Sequence, residues 1–238
     1  MFSKIAKIAA IPFRAFSIEA EGKALDLIEE LYVSLVHHVG VRISKKYSTS
    51  RELNLNVGSG PYPKNGFLNL DFSPQADLRL DLRQPIPLPE ASCQLIFTEH
   101  FVEHLSYPEG VDRFFTNAHR ILQPSGRILI SVPETKWLLE EYIAGGSKYI
   151  EQCKKSNWHP EDLVTFMEHI NYHFRQRCVG RRESHFECHR FAYDFETMKV
   201  TLERNGFSGV RLRDFDPVLD SEHRRVGSLF VEAVKPVA

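Results

Sequence analysis

Short apolar runs, separated by turns, crossover loops and one helical pattern, fill the middle of the chain. Each run has the length of a buried strand, and the runs lie at Leu53–Val57, up to Asp71, Ala76–Leu82, Gln94–Phe97 and Arg127–Val132. From Pro108 to Leu122, apolar residues recur instead at the spacing of one helix face. Strands joined by helical or crossover segments pair mainly in parallel, so the pattern predicts an α/β sheet covered on both faces.

The C-terminal part of the chain predicts a helix followed by two strands. Asp194 is in the position of a helix N-cap, and Asn205-Gly206 ends the helix. Phe207–Phe215 and Gly227–Val234 then follow as strands. Because no helix connects them, we expect a terminal antiparallel hairpin.

All predicted strands belong to one domain, which we assign to residues 51–238. Residues 1–50 have helical periodicity and form an N-terminal extension. Residues 136–192, rich in His, Arg and aromatic side chains, are predicted to be a helical insert over the carboxyl edge of the sheet. The predicted fold is therefore a Rossmann-like, mostly parallel sheet with a terminal antiparallel hairpin, a helical lead-in and a helical insert.

Composition excludes several classes of protein. With 238 residues, the chain has room for one well-filled core and not for two full-sized domains. The net charge of −1 provides no global attraction to nucleic acid or to an anionic membrane. No apolar run approaches the ~18 residues of a membrane span. The four cysteines are irregularly spaced, so we expect a reduced, cytoplasmic setting.

The first twenty residues combine cationic and apolar side chains. Lys4 and Arg14 lie among isoleucines and phenylalanines, and Lys7 interrupts the apolar run that a signal peptide would need. Pro12 divides the segment into two short pieces. The favoured interpretation is a helix docked on the domain. The alternative is an interfacial amphipathic helix, which would give peripheral membrane contact and suit a lipid-linked substrate.

The first predicted strand ends in a glycine turn, and the second ends in a carboxylate. Gly58 and Gly60 permit close approach of the backbone to a ligand, and Asp71 can accept from both hydroxyls of a ribose. The ten residues between Gly60 and Asp71 include Pro61 and Pro63, so a full helix is replaced by a loop. A dinucleotide fold has a helix after its glycine turn and an acid ~20 residues further on. The spacing therefore argues against a dehydrogenase.

Five motifs occur in order along the predicted sheet: Leu55–Gly60, Asn69–Asp71, Asp81–Pro87, Glu99–Leu105 and Leu122–Arg127. Their order and spacing resemble the class I S-adenosylmethionine-dependent methyltransferases, in particular a type 11-like bacterial group. The resemblance is close over residues 53–133 and loose over residues 193–236. It implies S-adenosylmethionine as the cofactor.

The resemblance assigns the first two motifs to the methionine and ribose parts of this cofactor. Gly58, Ser59 and Gly60 would contact the methionine moiety, whose carboxylate can meet backbone N–H groups. Asp71 would hold the ribose. Family members often have an acid where Asn56 stands, so this chain lacks one charge near the cofactor's amino group.

The later motifs are assigned to the adenine and the sulfonium. By the same resemblance, Asp81 would accept from the adenine amino group and Leu82 would cover one face of the ring. Glu99 and His100 would face the sulfonium and its methyl group. All four follow predicted strands, at whose carboxyl ends open parallel sheets bind ligands.

The implied reaction is an in-line displacement at the methyl carbon, accelerated by alignment and by exclusion of water. An oxygen acceptor must also lose a proton. His100 and His104 are the candidate catalytic bases, because a neutral imidazole accepts a proton near neutral pH. The alternative is that Glu103 and His104 form only a structural hydrogen-bonded pair at a helix start.

The same segment allows two interpretations that involve a metal. His100, Glu103 and His104 match an inverted zinc-peptidase pattern, which needs a long helix and a downstream ligand. Some methyltransferases of small-RNA ribose or ubiquinone precursors have a related acidic/His group that binds a divalent ion. Here His189 of the insert would complete such a group. The favoured interpretation assigns no metal ligand.

The insert contains two clusters of polar residues. The first lacks a CxxC pair, so structural or solvent-facing roles are favoured over a zinc site. Its members are His169, His173, Cys178, His185, Cys188 and His189. The second would bind a phosphate, a carboxylate or single-stranded RNA, or form a solvated helix face. Its members are Arg175, Arg177, Arg181, Arg182 and Arg190, and we expect Arg224 and Arg225 to reach the same mouth.

Together these features predict an enzyme that methylates a small or carrier-linked metabolite. A sugar or glycolipid intermediate is the first hypothesis, by analogy with the family alone. Nucleic acid is not the favoured partner. Two alternatives stay open: a non-catalytic methyltransferase-like protein that binds a nucleoside or a partner, and a metal-assisted O-methyltransferase of RNA or a metabolite.

Overall fold

A computed structural model describes residues 18–175, 186 and 188–237. Residues 1–17, which form most of the cationic N-terminal segment, therefore lie outside the described residues. The same holds for some insert residues discussed above, namely Arg177, Cys178, Arg181, Arg182 and His185.

A seven-stranded sheet forms the centre of the protein. Its strands are β1 (Leu53–Val57), β2 (Leu68–Asp71), β3 (Leu78–Arg79), β4 (Cys93–Glu99), β5 (Leu122–Pro133), β6 (Ser208–Leu212) and β7 (Ser228–Val234). They lie in the order β3-β2-β1-β4-β5-β7-β6. The first five pair in parallel, whereas β7 is antiparallel to both β5 and β6. The predicted α/β class, the mostly parallel sheet and the terminal antiparallel hairpin are confirmed.

Six α-helices lie within the described residues. They are α1 (Ile18–Ser44), α2 (Glu109–Ile121), α3 (Thr135–Ala144), α4 (Lys148–Ser156), α5 (Phe166–Arg175) and α6 (Phe195–Arg204). Helices α3, α4 and α5 fall within the insert that the sequence predicted to be helical. In the part of the chain that is described, no helix has the length and apolar character needed to cross a membrane.

The sheet is buried on both faces, which accounts for its continuous apolar strands. Leu55 and Val57 of β1 and Ile96 of β4 are fully buried. Helix α2 contributes the apolar face that its periodicity predicted, and this face consists of Val111, Phe114, Phe115, Ala118 and Ile121. From β1, the chain continues to β2 on one side, and β4 leads to β5 on the other. This change of direction leaves a crevice at the carboxyl ends of β1 and β4.

The largest differences from the predicted strand bounds are in β3 and β5. β3 is shorter than predicted because the Asp81 carboxylate accepts from the Arg83 N–H at 3.0 Å, and this bond turns the chain out of the sheet. β5 begins at Leu122, earlier than predicted, because the Gly126 carbonyl accepts from the Lys235 N–H at 2.9 Å. The segment predicted only as a helix break is thus held beside the C-terminal strand.

Helix α1 packs against the edge strand β3. A Cβ at Gly40 would lie 1.9 Å from the Arg79 carbonyl oxygen, so only glycine fits at this crossing. The Arg79 guanidinium donates to the Tyr32 hydroxyl at 2.7 Å. The Arg83 guanidinium donates to both oxygens of Glu30 at 2.7 Å. Helix α1 therefore brings polar side chains to the end of β3 that faces the crevice.

The insert has a small apolar core of its own. Leu138, Tyr149 and Cys153 are buried there, with Trp158 and Phe166 packed against them. The cysteines differ in state: Cys93 and Cys153 are free and buried, whereas Cys188 is disulfide-bonded. The reduced setting expected from the cysteine count did not predict that bond.

Candidate active site

The nine positions predicted for cofactor binding and catalysis all line one cavity, which we call the main cavity. It has a volume of about 440 Å³. The nine positions are Gly58, Ser59, Gly60, Asp71, Asp81, Leu82, Glu99, His100 and His104. They converge because the residues that follow parallel strands meet at one edge of the sheet.

The turn after β1 has the backbone conformation that its glycines predicted. Gly58 has a φ of +75°, and a Cβ there would lie 2.6 Å from the Phe101 side chain. Gly60 has a φ of +51° and faces open space. The N–H groups of Gly58 and Ser59 both donate to the Leu70 carbonyl, at 2.9 and 3.2 Å. These two donors, expected to meet the methionine carboxylate, are thus used inside the protein.

One polar group in the turn has no hydrogen-bond partner among the described residues. The Ser59 hydroxyl is buried and makes no hydrogen bond with any described residue, although its residue lines the main cavity. An unpaired buried hydroxyl costs free energy unless a ligand or water binds it. This hydroxyl, unlike the N–H groups of Gly58 and Ser59, is therefore not used by a hydrogen bond inside the described protein.

Residues 58–67, between β1 and β2, contain no helix, as the sequence predicted. Asn56 Nδ2 donates to Asn69 Oδ1 at 2.9 Å, and the same oxygen accepts from the Lys64 N–H at 2.7 Å. Lys64 Nζ in turn donates to the Leu219 carbonyl at 2.5 Å. Asn69, itself held by Asn56, thus anchors the shortened loop to the sheet.

Both carboxylate oxygens of Asp71 accept hydrogen bonds from backbone N–H groups. Its Oδ2 accepts from the Gly60 N–H at 3.0 Å, and its Oδ1 accepts from the Ser73 N–H at 2.7 Å. Burial raises the pKa of Asp71, while these hydrogen bonds oppose the rise. Each carboxylate oxygen can accept more than one hydrogen bond, so both can still receive a ribose hydroxyl.

Both carboxylate oxygens of Asp81 already accept hydrogen bonds from Arg83, which the expected adenine role did not predict. Its Oδ1 accepts from Arg83 Nε at 2.9 Å and its Oδ2 from Arg83 Nη2 at 2.8 Å.

Phe72 and Phe186 line the same cavity, with ring centroids 5.3 Å apart. These rings, tilted by 50° to each other, give the cavity an aromatic wall that a nucleobase can contact, and the sequence reasoning missed it. Phe72 could have been found, since it directly follows Asp71.

Glu99 is held at the cavity wall by the connection between β6 and β7. Its Oε1 accepts from the Ser221 N–H at 2.9 Å and its Oε2 from the Ser221 hydroxyl at 2.6 Å. Arg224 donates to the Glu99 carbonyl oxygen at 3.0 Å. Arg224 lines the cavity as expected, whereas Arg225 lies 3.4 Å from Glu222. Ser221 was missed because no motif marks it.

His100 has an unusual backbone for a residue with a side chain. Its φ is +51°, in the left-handed region where non-glycine residues are uncommon and often functional. Its Nε2 lies 2.8 Å from Ser228 Oγ, and its Nδ1 lies 3.5 Å from Glu103 Oε1. Burial, with a smaller effect of Arg224, lowers the pKa of His100 well below its usual value. The imidazole is therefore neutral at physiological pH.

Glu103 is a buried carboxyl whose two oxygens make no hydrogen bond with the described residues. Burial raises its pKa to about 8. His104 Nε2 lies 3.8 Å from Glu103 Oε1, which is too far for the structural hydrogen bond considered above.

A candidate metal cluster consists of Glu103, His104 and His189. Each contributes one ligand atom, and the three atoms lie within 4.8 Å of one another. Val102–His104 is a single 3-10 turn, so the long helix of a zinc peptidase is absent here.

A second cavity, of about 240 Å³, adjoins the main cavity, and His100 and Arg224 line both. Its wall is mainly aromatic and imidazole, and it includes Tyr149, Trp158, His159, Tyr172, His173, His189 and His223. Burial lowers the pKa of each lining histidine. Among the described residues that line it, Arg224 is thus the only charged side chain, and none is acidic.

The described residues of the insert's two polar clusters make separate contacts. His173 accepts or donates at both ring nitrogens, with Thr135 Oγ1 at 3.0 Å and Tyr149 Oη at 3.0 Å. The described arginines of the second cluster do not stay together: Arg175 bonds Asn171 at 3.0 Å, whereas Arg190 lines the main cavity.

Residues 65–130 match a protein family described as "Methyltransferase domain". No curated protein sequence matches the chain. The matched segment runs from the loop before β2 into β5. It therefore contains six of the nine predicted positions, from Asp71 to His104.

The chain is also similar in structure to several solved proteins. An S-adenosylmethionine-dependent methyltransferase from Methanosarcina mazei is 12% identical with a TM-score of 0.48, over 82% of this chain and 98% of that one. One from Mesorhizobium loti is 16% identical with a TM-score of 0.45, over 79% and 92%.

A third is phosphoethanolamine N-methyltransferase 2 from Haemonchus contortus, in complex with phosphomonomethylethanolamine and S-adenosylhomocysteine. It is 13% identical with a TM-score of 0.44, over 84% of this chain and 53% of that one, so the present chain spans about half its length. Residues 65–130 are thus similar to a methyltransferase domain, and the matched segment includes the carboxyl ends of β2 and β4, which border the main cavity.

Proposed function

We propose that the protein transfers the methyl group of S-adenosylmethionine to an acceptor bound in the second cavity. The observation that supports this most directly is the position of His100, which lines both cavities and has a neutral imidazole. A base at that boundary can act on an acceptor beside the cofactor.

The residues of the main cavity fit the cofactor. Asp71 is available to the ribose, the rings of Phe72 and Phe186 to the adenine, and the unpaired Ser59 hydroxyl to the methionine moiety. Glu99 provides a carboxylate that Ser221 holds in place for the sulfonium. When bound, S-adenosylmethionine supplies an electrophilic methyl group on a cationic sulfur.

The protein's part in the reaction is alignment and proton transfer. An acceptor hydroxyl in the second cavity can give its proton to His100, either directly or through the Ser228 hydroxyl, which also lines that cavity. The low pKa of His100 keeps it in the proton-accepting form. Alignment and exclusion of water lower the barrier further, because the cation loses its charge in the transition state.

The second cavity also favours one class of acceptor. Its lining has no carboxylate among the described residues and one cation, Arg224, so it suits a neutral or anionic group better than an ammonium group. Tyr149, Trp158 and Tyr172 offer ring faces with polar edges, which suit a hydroxylated ring. A sugar unit of a small or carrier-linked metabolite meets both conditions, and its carrier would extend outside the cavity.

A methyl-transfer assay with three acceptor classes tests this proposal. Radiolabelled S-adenosylmethionine is offered with methyl glycosides, with sugar phosphates and uronic acids, or with primary amines. We expect turnover in the first or second class and none with amines, and we expect loss of turnover in His100→Gln. Turnover confined to amines contradicts the acceptor assignment. Cofactor binding without turnover in any class favours the non-catalytic alternative.

A second candidate is metal-assisted O-methylation, which the cluster of Glu103, His104 and His189 favours. The unpaired carboxylate oxygens of Glu103 are the kind of donor that a hard divalent ion prefers, so these residues fit a metal. A bound ion would supply Lewis-acid stabilisation of an acceptor oxygen. Treatment with EDTA distinguishes the candidates: activity that is lost and restored by Mg²⁺ or Mn²⁺, with cofactor affinity unchanged, supports the metal.

A further inference from the structure

We propose that Cys153, His159 and His169 form a zinc site within the insert. One ligand atom from each residue lies within 4.8 Å of the other two. His159 Nδ1 and His169 Nδ1 are 2.8 Å apart, so the two rings present the same nitrogen to one point. A thiolate with two imidazoles is a ligand set that zinc prefers.

The three residues come from different segments of the insert. Cys153 belongs to α4, His159 to the connection that follows, and His169 to α5. All three are removed from solvent to some degree, and Cys153 and His169 are buried. A metal bound to them would fasten α4 to α5, where the apolar core of the insert is small. Small cores commonly need such a link.

The two imidazoles of this cluster share a single proton. A hydrogen bond between two Nδ1 atoms requires one ring to donate and the other to accept. A metal ion can take the place of that shared proton and accept a lone pair from both nitrogens.

The thiol of Cys153 must lose its proton when a metal ion binds. Cys153 forms no disulfide and is buried beside the two imidazoles. A metal ion that binds its sulfur displaces the thiol proton to solvent, because a coordinating thiol is deprotonated. Three protein ligands leave a fourth position for water or another group.

The zinc site would shape the second cavity. His159 lines that cavity, as do Tyr149 of α4 and Tyr172 of α5. Fastening the two helices therefore fixes the wall against which the acceptor binds. This site differs from the cluster around Glu103 because it includes a sulfur ligand and lies in a separate group of residues.

Cobalt substitution in the full-length protein tests the proposal. We expect purified protein to hold about one zinc per chain, and the metal-depleted protein to bind Co²⁺ with a thiolate-to-cobalt absorption band in the near ultraviolet. The band is expected to disappear in Cys153→Ser and to weaken strongly in His169→Gln. A wild-type protein that binds Co²⁺ with no thiolate band overturns the proposal, whether or not the variants fold.

Two controls make the assignment specific. Cys93→Ser changes the other free, buried cysteine of the described residues, and it should keep the band. Glu103→Gln alters the other candidate metal cluster and should keep the band as well. A band that survives in Cys153→Ser and is lost in Cys93→Ser would place the metal elsewhere and contradict the proposal.

Discussion

The backbone N–H of Gly60 donates to Asp71 Oδ2 at 3.0 Å. This bond joins the turn after β1 to the carboxylate at the end of β2, across a loop that contains no helix. Asp71 therefore both holds the turn and lines the main cavity. The shortened loop makes the shape of the glycine turn depend on the side chain that we assign to the ribose.

Replacing Asp71 with alanine is expected to weaken binding of S-adenosylmethionine by about 2–3 kcal/mol, because a charged hydrogen-bond acceptor is lost. Asp71→Asn keeps one carbonyl oxygen and should lose less. Isothermal titration calorimetry measures both affinities. Asp214→Ala, an exposed site away from the cavity, is the matched control and should bind normally. Unchanged affinity in Asp71→Ala would exclude the ribose assignment.

The fold and the main-cavity residues could be predicted because their signals are local. Apolar runs mark strands, and the residues that follow parallel strands must meet at one edge of the sheet. These two rules alone predict that Gly60 and Asp71 lie at the same edge of the sheet. The spacing between them also predicted the missing helix correctly, since prolines and a short loop leave no room for one.

The remaining parts of the site could not be predicted because they depend on contacts between distant segments. Ser221 holds Glu99 although 122 positions separate them, and no motif marks a lone serine in a polar loop. Phe186 reaches the cavity from the insert. The N–H groups of Gly58 and Ser59 were expected to face the ligand, but the Leu70 carbonyl, which pairing of β1 with β2 brings close, accepts from both.

Gly227→Ala is expected to impair acceptor use without affecting the cofactor. A Cβ at Gly227 would lie 2.5 Å from the Trp158 ring, and Trp158 lines the second cavity. The ring must move, and a displacement of this kind should lower kcat/KM for the acceptor by about 10-fold or more. Steady-state kinetics with an active acceptor, together with calorimetry for S-adenosylmethionine, measures the two effects separately.

Gly66→Ala provides the control for backbone strain. Gly66 has the same φ of +80° as Gly227, but no atom lies within 4 Å of its Cβ position. Both variants should lose roughly 1 kcal/mol of stability because alanine disfavours positive φ. Only Gly227→Ala should change acceptor kinetics. Equal kinetic losses in the two variants would show that strain, and not the position of Trp158, is responsible.

His100→Gln is expected to lower kcat by about 10²–10⁴-fold, the range typical of a lost general base. Cofactor affinity should stay close to that of the wild type, because the assigned role concerns the acceptor proton. His38→Gln, an exposed histidine on α1, is the control and should be fully active. Quench-flow measurement of methyl transfer separates the chemical step from binding.

The activity of the wild type should also depend on pH in a defined direction. Because burial lowers the pKa of His100, the imidazole stays unprotonated as the pH falls through the ordinary value of 6.5. The acidic limb of the kcat profile should therefore have a midpoint below 6.5. A midpoint at or above that value, measured from pH 5 to 9, contradicts His100 as the base.

Glu103→Gln is expected to stabilise the protein at alkaline pH. Burial raises the pKa of Glu103 from 4.5 to about 8, so the unfolded state loses this proton at a lower pH than the folded state does. Stability is then lost as the pH rises from the unfolded pKa through the folded one. The full penalty above pH 8 is on the order of 5 kcal/mol, and glutamine removes it.

Urea unfolding from pH 5 to 9 in the presence of EDTA measures this penalty. The wild type should lose stability across that range relative to Glu103→Gln, whereas the exposed Glu90→Gln should follow the wild type. Parallel curves for Glu103→Gln and the wild type would mean that the buried carboxyl carries no such penalty. Repeating the titration with Mg²⁺ separates the two interpretations of Glu103, because an ion bound to the carboxylate removes the penalty only in the wild type.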